Sequence, residues 1–465
     1  VYKRQAVIGP AADTVSYGDY TETRGRKGGV SVLDGIRAAV SPETEVLYER
    51  GCNFLGQALH PFDPSMLRDE NGEAGLTGRY YNGPVPQGEP VQVRTDRTVN
   101  FNWIFALPHP ELDANCFSVA WTGSVIMPKT IDGCIGLSTQ DSMRLYVDDK
   151  LLIDGWGKDK SADQALDFHF EAGRTYKIRI EFVNDRRGAR VIFGYSAGRE
   201  NFPAAVEAAR KADVAILCMG DNEETSGENF DRTDLNLPGR QLELVQAVYA
   251  TGTPVVLVLQ SGRPVTANWE NDHLSAILEA WFPGEQGGTA IAKTLFGNAA
   301  PGGRLPITFP RSVGQIPCHY SRRPGGGKRY VEMDWLPLYP FGYGLTYTTF
   351  AYRDMTLSRS VIGPQDTVTV SVTVTNTGKY TGDAVPQLYV RDMFSSVVKP
   401  ERQLAAFRRL TLAPGESRRV ELTVGPKQLR TLGPDYVWRV EPGKFELQLG
   451  DNAENILLRA DLTVE

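Results

Sequence analysis

The sequence predicts a multidomain α/β plus all-β protein. An α/β sandwich with a mostly parallel sheet is interrupted by an inserted β-sandwich or barrel module and followed by an immunoglobulin-like β-sandwich. Three observations predict it. Apolar strand-like runs alternate with amphipathic helical segments near the start of the chain and again from residue 201. Between these stretches helical periodicity fades and short alternating runs separated by Asp/Gly turns take over. The final stretch alternates apolar and polar residues between Gly/Pro turns. A chain of 465 residues is also too long for one ordinary core.

Taken in order, AVIGP is a short buried strand, VSVLDGIRAAV has helical spacing, and TEVLYERG is a second strand: the start of a βαβ unit. From about residue 73 to 198 the runs GLTGRYYNG, CFSVAWTGSVIMP, GCIGLSTQ, MRLYVDDKLLIDGW, TYKIRIEFVND and ARVIFGYSAG read as strands of one β module. Helix then returns in NFPAAVEAARKAD, followed by strand VAILCMG, helix RQLELVQAVYATG, strand PVVLVLQSG, strand LSAILEAW and helix EQGGTAIAKTLFG. Strands alternating with helices imply a parallel sheet covered on both faces. The expected division is therefore 1–72 with 199–350 as one split α/β domain, 73–198 as the insertion, and 351–465 as the terminal sandwich, with DTVTVSVTVTNTG, RRVELTVG and GKFELQLG among its strands.

Composition is that of a globular protein, 41% hydrophobic and 23% charged, and the net charge of −6 argues against nucleic acid as a main partner. No run of eighteen apolar residues suggests a membrane span. The first residue is Val1, and VYKRQ enters the first strand without an apolar leader, so the expectation is a chain that begins inside a longer protein. The five cysteines form no CxxC pair and no disulfide framework, although a Cys116–Cys134 bridge is left open.

The stretch TSGENFDR carries the chemistry of interest. In an open α/β sheet, ligands bind outside the carboxyl ends of the strands, and this loop follows VAILCMG. The same argument puts the loop after AVIGP, with Asp13, Tyr17, Gly18, Asp19 and Tyr20, on that edge. The span from Gly220 to Pro238 holds Asp221, Glu223, Glu224, Glu228, Asp231 and Asp234. Spacing alone also fits a solvated acidic loop. There is no GxSxG elbow and no HExxH, and the five histidines are scattered. A carboxylic acid that cleaves glycosides needs a second carboxylate, and the spacing identifies none.

AVIGPAAD, GENFDRTDLNLPGRQLELVQAV, PVVLVLQSGRPV, AWFPGEQGGTAIAKTLFGNAAPGGRLPITFP and PLYPFGYGLTYTTF together resemble the C-terminal two-thirds of glycoside hydrolase family 3 enzymes of the β-glucosidase type. The inserted module, through GRYYNG, AWTGSVIMP and QDSMRLYVDDKLLIDGW, is similar to protective-antigen-type carbohydrate-associated domains, and the last domain looks like the family's fibronectin type III-like domain. The resemblance implies hydrolysis of terminal non-reducing β-D-glucosyl residues by a retaining mechanism, on a β-linked oligosaccharide or aryl glucoside, with no cofactor and no metal. β-Xylosidase or arabinosidase activity and a non-catalytic carbohydrate-binding fragment are the alternatives. Glu228 matches the acid/base in the family's pattern of Gly-Glu, two residues, then Asp-Arg. Asp231 and Arg232 match its end and are expected to support the loop, and Asn229 stands where many relatives have glycine. The family's nucleophile is an aspartate on an N-terminal (β/α)8 barrel, which these residues do not contain, so Glu228's partner is expected outside this chain. In the inserted module Trp103, Phe105 and Trp156 are candidates to stack on sugar rings. No metal is expected at Asp148-Asp149. The family implies an extracellular or periplasmic location, and the absence of any Asn-x-Ser/Thr acceptor points toward a bacterial source.

Overall fold

The computed structural model describes residues 3–21, 28–54, 59–103, 107–139, 141–157, 164–184, 190–196, 202–222, 225–325 and 329–465. The chain divides into two compact units, Val1–Glu49 with Ala208–Glu465, and Arg50–Glu207. No helix among the described residues is long and apolar enough to cross a membrane.

The first unit opens with a five-stranded, all-parallel sheet. Its strands are β1 (Arg4–Ile8), β2 (Glu45–Glu49), β3 (Val214–Gly220), β4 (Val255–Gln260) and β5 (Ala276–Glu279), in the spatial order β5-β4-β3-β1-β2. β3 is buried along its whole length, as its unbroken apolar run requires of a central parallel strand. β2 and β5 form the half-exposed edges. Burying each large aliphatic side chain of β3 contributes about 1.5–3 kcal/mol. The helices are α1 (Val32–Ala39), α2 (Phe202–Lys211), α3 (Gln241–Tyr249), α4 (Asn268–His273) and α5 (Gly287–Leu295). Ser31 caps α1 by accepting the Asp34 N–H at 3.1 Å. Gly35 of α1 lies so close to α5 that a Cβ there would sit 2.1 Å from the Gly288 carbonyl oxygen.

The same unit ends in two antiparallel-dominated sheets that share one core. One joins Phe350–Leu357, Val368–Asn376 and Ser417–Val424; the other joins Val361–Ile362, Ile456–Val464, Gly443–Gly450, Gln387–Asp392 and Gln403–Phe407. The inward valines of Val368–Asn376 alternate with half-exposed threonines and serine, the period-2 pattern of a sandwich strand.

The second unit is built on antiparallel strands in two sheets around one aromatic-rich core. His60–Pro61 and Leu67–Arg68 pair inside these sheets, with Arg190–Ser196 and Phe117–Ile126, so the β unit begins ahead of the boundary expected at residue 73. Two-residue strands are too short to show alternation. All five cysteines are free of disulfides, and Cys134 Sγ lies 3.4 Å from Asp167 Oδ1. Asp148 and Asp149 take φ of +48° and +62° at the two-residue hairpin between Ser142–Val147 and Lys150–Asp154, as a type I′ turn demands. Their carboxylates face Arg174 and Lys177. Among the described residues no group of three His, Cys, Asp or Glu is arranged to hold a metal ion.

Candidate functional site

The strand order reverses direction between β1 and β3, and in open α/β sheets the crevice at such a switch point is where ligands bind. The loops leaving the carboxyl ends of β1 and β3 are those that carry Asp19 and Glu228. The strand ends beneath them are fastened by buried amides. Gln241, the first residue of α3, exchanges two hydrogen bonds with the Gly220 backbone, at 2.8 and 2.9 Å, and Gln260 donates to the Ala11 carbonyl at 2.9 Å.

Asp221, the first residue after β3, is buried and anchors the loop. Its N–H donates to the Gln260 carbonyl at 2.8 Å. Its carboxylate accepts from Thr225 Oγ1 at 2.9 Å and from Arg232 Nη1 at 3.3 Å, and lies 3.7 Å from Arg263 Nε. Burial raises the affinity of this carboxyl for its proton, and the Thr225 hydroxyl and the two guanidiniums oppose that rise. The guanidiniums also hold backbone: Arg232 donates to the Asn236 carbonyl at 2.8 Å and Arg263 to the Thr225 carbonyl at 3.1 Å. Arg232 therefore closes the loop from both sides. Asp231 is exposed and joins none of these hydrogen bonds.

Glu228 sits at the exposed crest of the loop. Its N–H donates to Asp19 Oδ2 at 3.0 Å, which ties the β3 loop to the β1 loop. Gly227 is needed beside it, because a Cβ there would stand 2.9 Å from the same Asp19 oxygen. Asn229 has φ of +64°, the left-handed region that glycine and asparagine enter at least cost. The backbone of Glu228 is thus held while the residue itself stays exposed to solvent.

A second carboxyl, Glu279 at the end of β5, was not singled out from the sequence. Its Oε1 accepts the Trp281 N–H at 2.9 Å, and its Oε2 is sealed from solvent with no hydrogen-bond partner among the described residues. Burial pushes its pKa up to about 8; the Trp281 N–H works against this and the Asp221 charge adds to it. The only signal was an acid at the tip of an apolar strand, SAILEAW.

The aromatic candidates of the β unit fare differently from expectation. Trp103 packs into the core, stacked on Phe101 at 4.7 Å and parallel to Trp121 at 6.4 Å, so its faces meet protein rings rather than a sugar. Large rings dominate cores because they bury the most apolar area. Trp156 is half-buried with the Arg144 guanidinium 4.9 Å above its ring. Phe105 lies outside the described residues.

Residues 2–347 match the glycosyl hydrolase family 3 C-terminal domain, and residues 384–453 match a fibronectin type III-like domain. A β-xylosidase of Formosa agariphila is 44% identical over 302 residues, 62% of this chain and 42% of that protein. A β-glucosidase of Rhizobium radiobacter is 34% identical over 99% of this chain and 58% of its own length. A periplasmic β-glucosidase of Salmonella typhimurium is 42% identical over 54% of this chain and 34% of its own length. The chain thus spans about a third to three-fifths of these relatives. Among solved structures, the glucose complex of Kluyveromyces marxianus β-glucosidase superposes with a TM-score of 0.70 at 28% identity, covering 99% of this chain and 59% of that one.

Proposed function

The chain belongs to glycoside hydrolase family 3, and from that premise we propose that it serves the retaining hydrolysis of terminal non-reducing β-D-glucosyl residues, with Glu228 as the acid/base. The observation that carries the reading is the position of Glu228: a solvent-exposed glutamate on a backbone fastened by Asp19, at the switch point of the sheet. The nucleophile is an aspartate of a (β/α)8 barrel that these 465 residues do not include. That aspartate attacks the anomeric carbon while the protonated Glu228 gives its proton to the departing glycosidic oxygen. Glu228 then takes a proton from water as the water oxygen displaces the aspartate from the same carbon. Arg232 and Asp221 hold the loop during both steps; no cofactor takes part.

The second reading keeps the chemistry and changes the sugar. The Formosa agariphila relative is named a β-xylosidase, and pentose versus hexose is decided by residues around the sugar, not by the fold. The similarity to a periplasmic β-glucosidase supports action outside the cytoplasm, and the β unit is read as a carbohydrate-associated module of protective-antigen type.

The test is hydrolysis of aryl β-glucoside and aryl β-xyloside by three proteins: the chain itself, the chain with a family 3 barrel joined ahead of Val1, and the joined protein carrying Glu228→Gln. Activity confined to the joined protein and lost on substitution is the expected result. Turnover by the chain alone would mean that a nucleophile lies within it, and full activity of Glu228→Gln would remove Glu228 from the mechanism. Sugar binding without turnover in every form would favour a non-catalytic carbohydrate-binding role.

A further inference from the structure

Trp281 has φ of +52°, a left-handed backbone that a bulky side chain adopts only when its surroundings impose it. Two contacts impose it here. Glu279, two residues earlier, accepts the Trp281 N–H through Oε1 at 2.9 Å, and the Trp281 ring meets Phe309 edge-on at 5.7 Å between centroids. The turn sends the next side chain, Phe282, between two glycines. A Cβ at Gly18 would lie 3.2 Å from the Phe282 ring, and one at Gly262 would lie 2.9 Å from it and 2.7 Å from Ser226 Oγ. Gly18 precedes Asp19, which accepts the Glu228 N–H; Gly262 precedes Arg263, which holds the Thr225 carbonyl and Asp221. The ring therefore lies against the loop whose Asp19 accepts the Glu228 N–H and against the loop whose Arg263 holds the Thr225 carbonyl, three residues before Glu228.

We propose that Glu279 is a positioning residue: its buried carboxyl hooks Trp281 into the left-handed turn, and the turn drives Phe282 as a wedge that sets the Asp19 and Arg263 loops and, through them, Glu228. The wedge belongs to the scaffold of the acid/base and makes no contact with the reacting atoms, so this assignment rests on the reading of Glu228 given above. The charge that acts on the Glu279 carboxyl is Asp221, itself paired with Arg232 and Arg263. A glutamine at position 279 keeps an oxygen to accept the Trp281 N–H; leucine fills similar space and cannot accept.

Amide hydrogen exchange of the full chain, without substrate, tests this apart from catalysis. Glu279→Gln is expected to leave the Trp281 and Glu228 amides as protected as in the parent. Glu279→Leu is expected to release both by about tenfold or more while the β3 and β4 amides stay protected. Phe282→Ala is expected to free the Glu228 amide and leave that of Trp281 protected, and it decides the matter if the leucine variant does not fold. Unchanged Glu228 protection in Phe282→Ala, or a glutamine variant as loose as the leucine one, would overturn the proposal. Neither result depends on whether the chain hydrolyses anything, so failure of the wedge and failure of the acid/base reading are separate outcomes.

Discussion

Asp19 accepts the backbone N–H of Glu228 at 3.0 Å across 209 positions of sequence. The bond joins the two loops that leave the sheet on either side of its switch point. It holds Glu228 by its peptide N–H and does not engage the carboxyl.

Asp19→Ala should therefore loosen the crest of the loop more than it harms the fold. One exposed hydrogen bond is worth about 0.5–1.5 kcal/mol, which corresponds to a rise of about two- to tenfold in exchange at the Glu228 amide. Asp19→Asn keeps a carbonyl acceptor and should lose less. Equal exchange in the parent and both variants, measured by NMR, would mean that this bond does not set the position of Glu228.

Asn229 supplies a second, independent handle. Its φ of +64° suits asparagine and glycine, whereas a β-branched residue there pays about 1–2 kcal/mol for the left-handed backbone. Asn229→Gly should be within a few tenths of a kcal/mol of the parent. Asn229→Val should lower the urea midpoint clearly. A valine variant as stable as the glycine one would show that the loop reaches another conformation freely.

Local patterns made the strands legible and long-range contacts hid the site's supports. VAILCMG reads as a central parallel strand because an unbroken apolar run of that length has few other homes. The place of TSGENFDR on the carboxyl edge follows from its following such a strand. Asp19 shared that expected edge, but nothing local pairs it with a residue 209 positions away. Glu279 was hidden for a different reason: strand periodicity does not say where a terminal side chain turns. Trp103 was a stacking candidate only as an aromatic in the β module, and residue type does not say whether a ring meets sugar or core.

Asp221 should be the most costly residue of the loop to remove. It is almost fully buried, and Arg232 and Arg263 both face it with little solvent of their own. Deleting one member of a buried ion pair leaves uncompensated charge and costs about 3–5 kcal/mol. Asp221→Ala should show that loss in urea unfolding, and added salt should hardly change it, because buried pairs are poorly screened. A loss under about 1 kcal/mol would place the two guanidiniums in water rather than against the loop.

Glu279 makes stability depend on pH in a direction opposite to that of ordinary paired carboxylates. Burial lifts its pKa from 4.5 to about 8 in the fold. Below about pH 4.5 both folded and unfolded chains hold the proton, and this group's contribution is fully present. As pH rises from there to about 8, the unfolded chain releases its proton and the folded one retains it, so stability falls by up to about 1.4 kcal/mol per pH unit. Above about 8 the folded carboxyl ionises too, and the slope from this group ends. Glu279→Gln cannot ionise and lacks this slope. The variant should therefore gain on the parent steadily between about pH 5 and pH 8, read from urea midpoints at unit intervals. Curves that run parallel across that range would mean that Glu279 ionises in the fold as readily as in the unfolded chain, through solvent that the buried Oε2 does not meet in this structure.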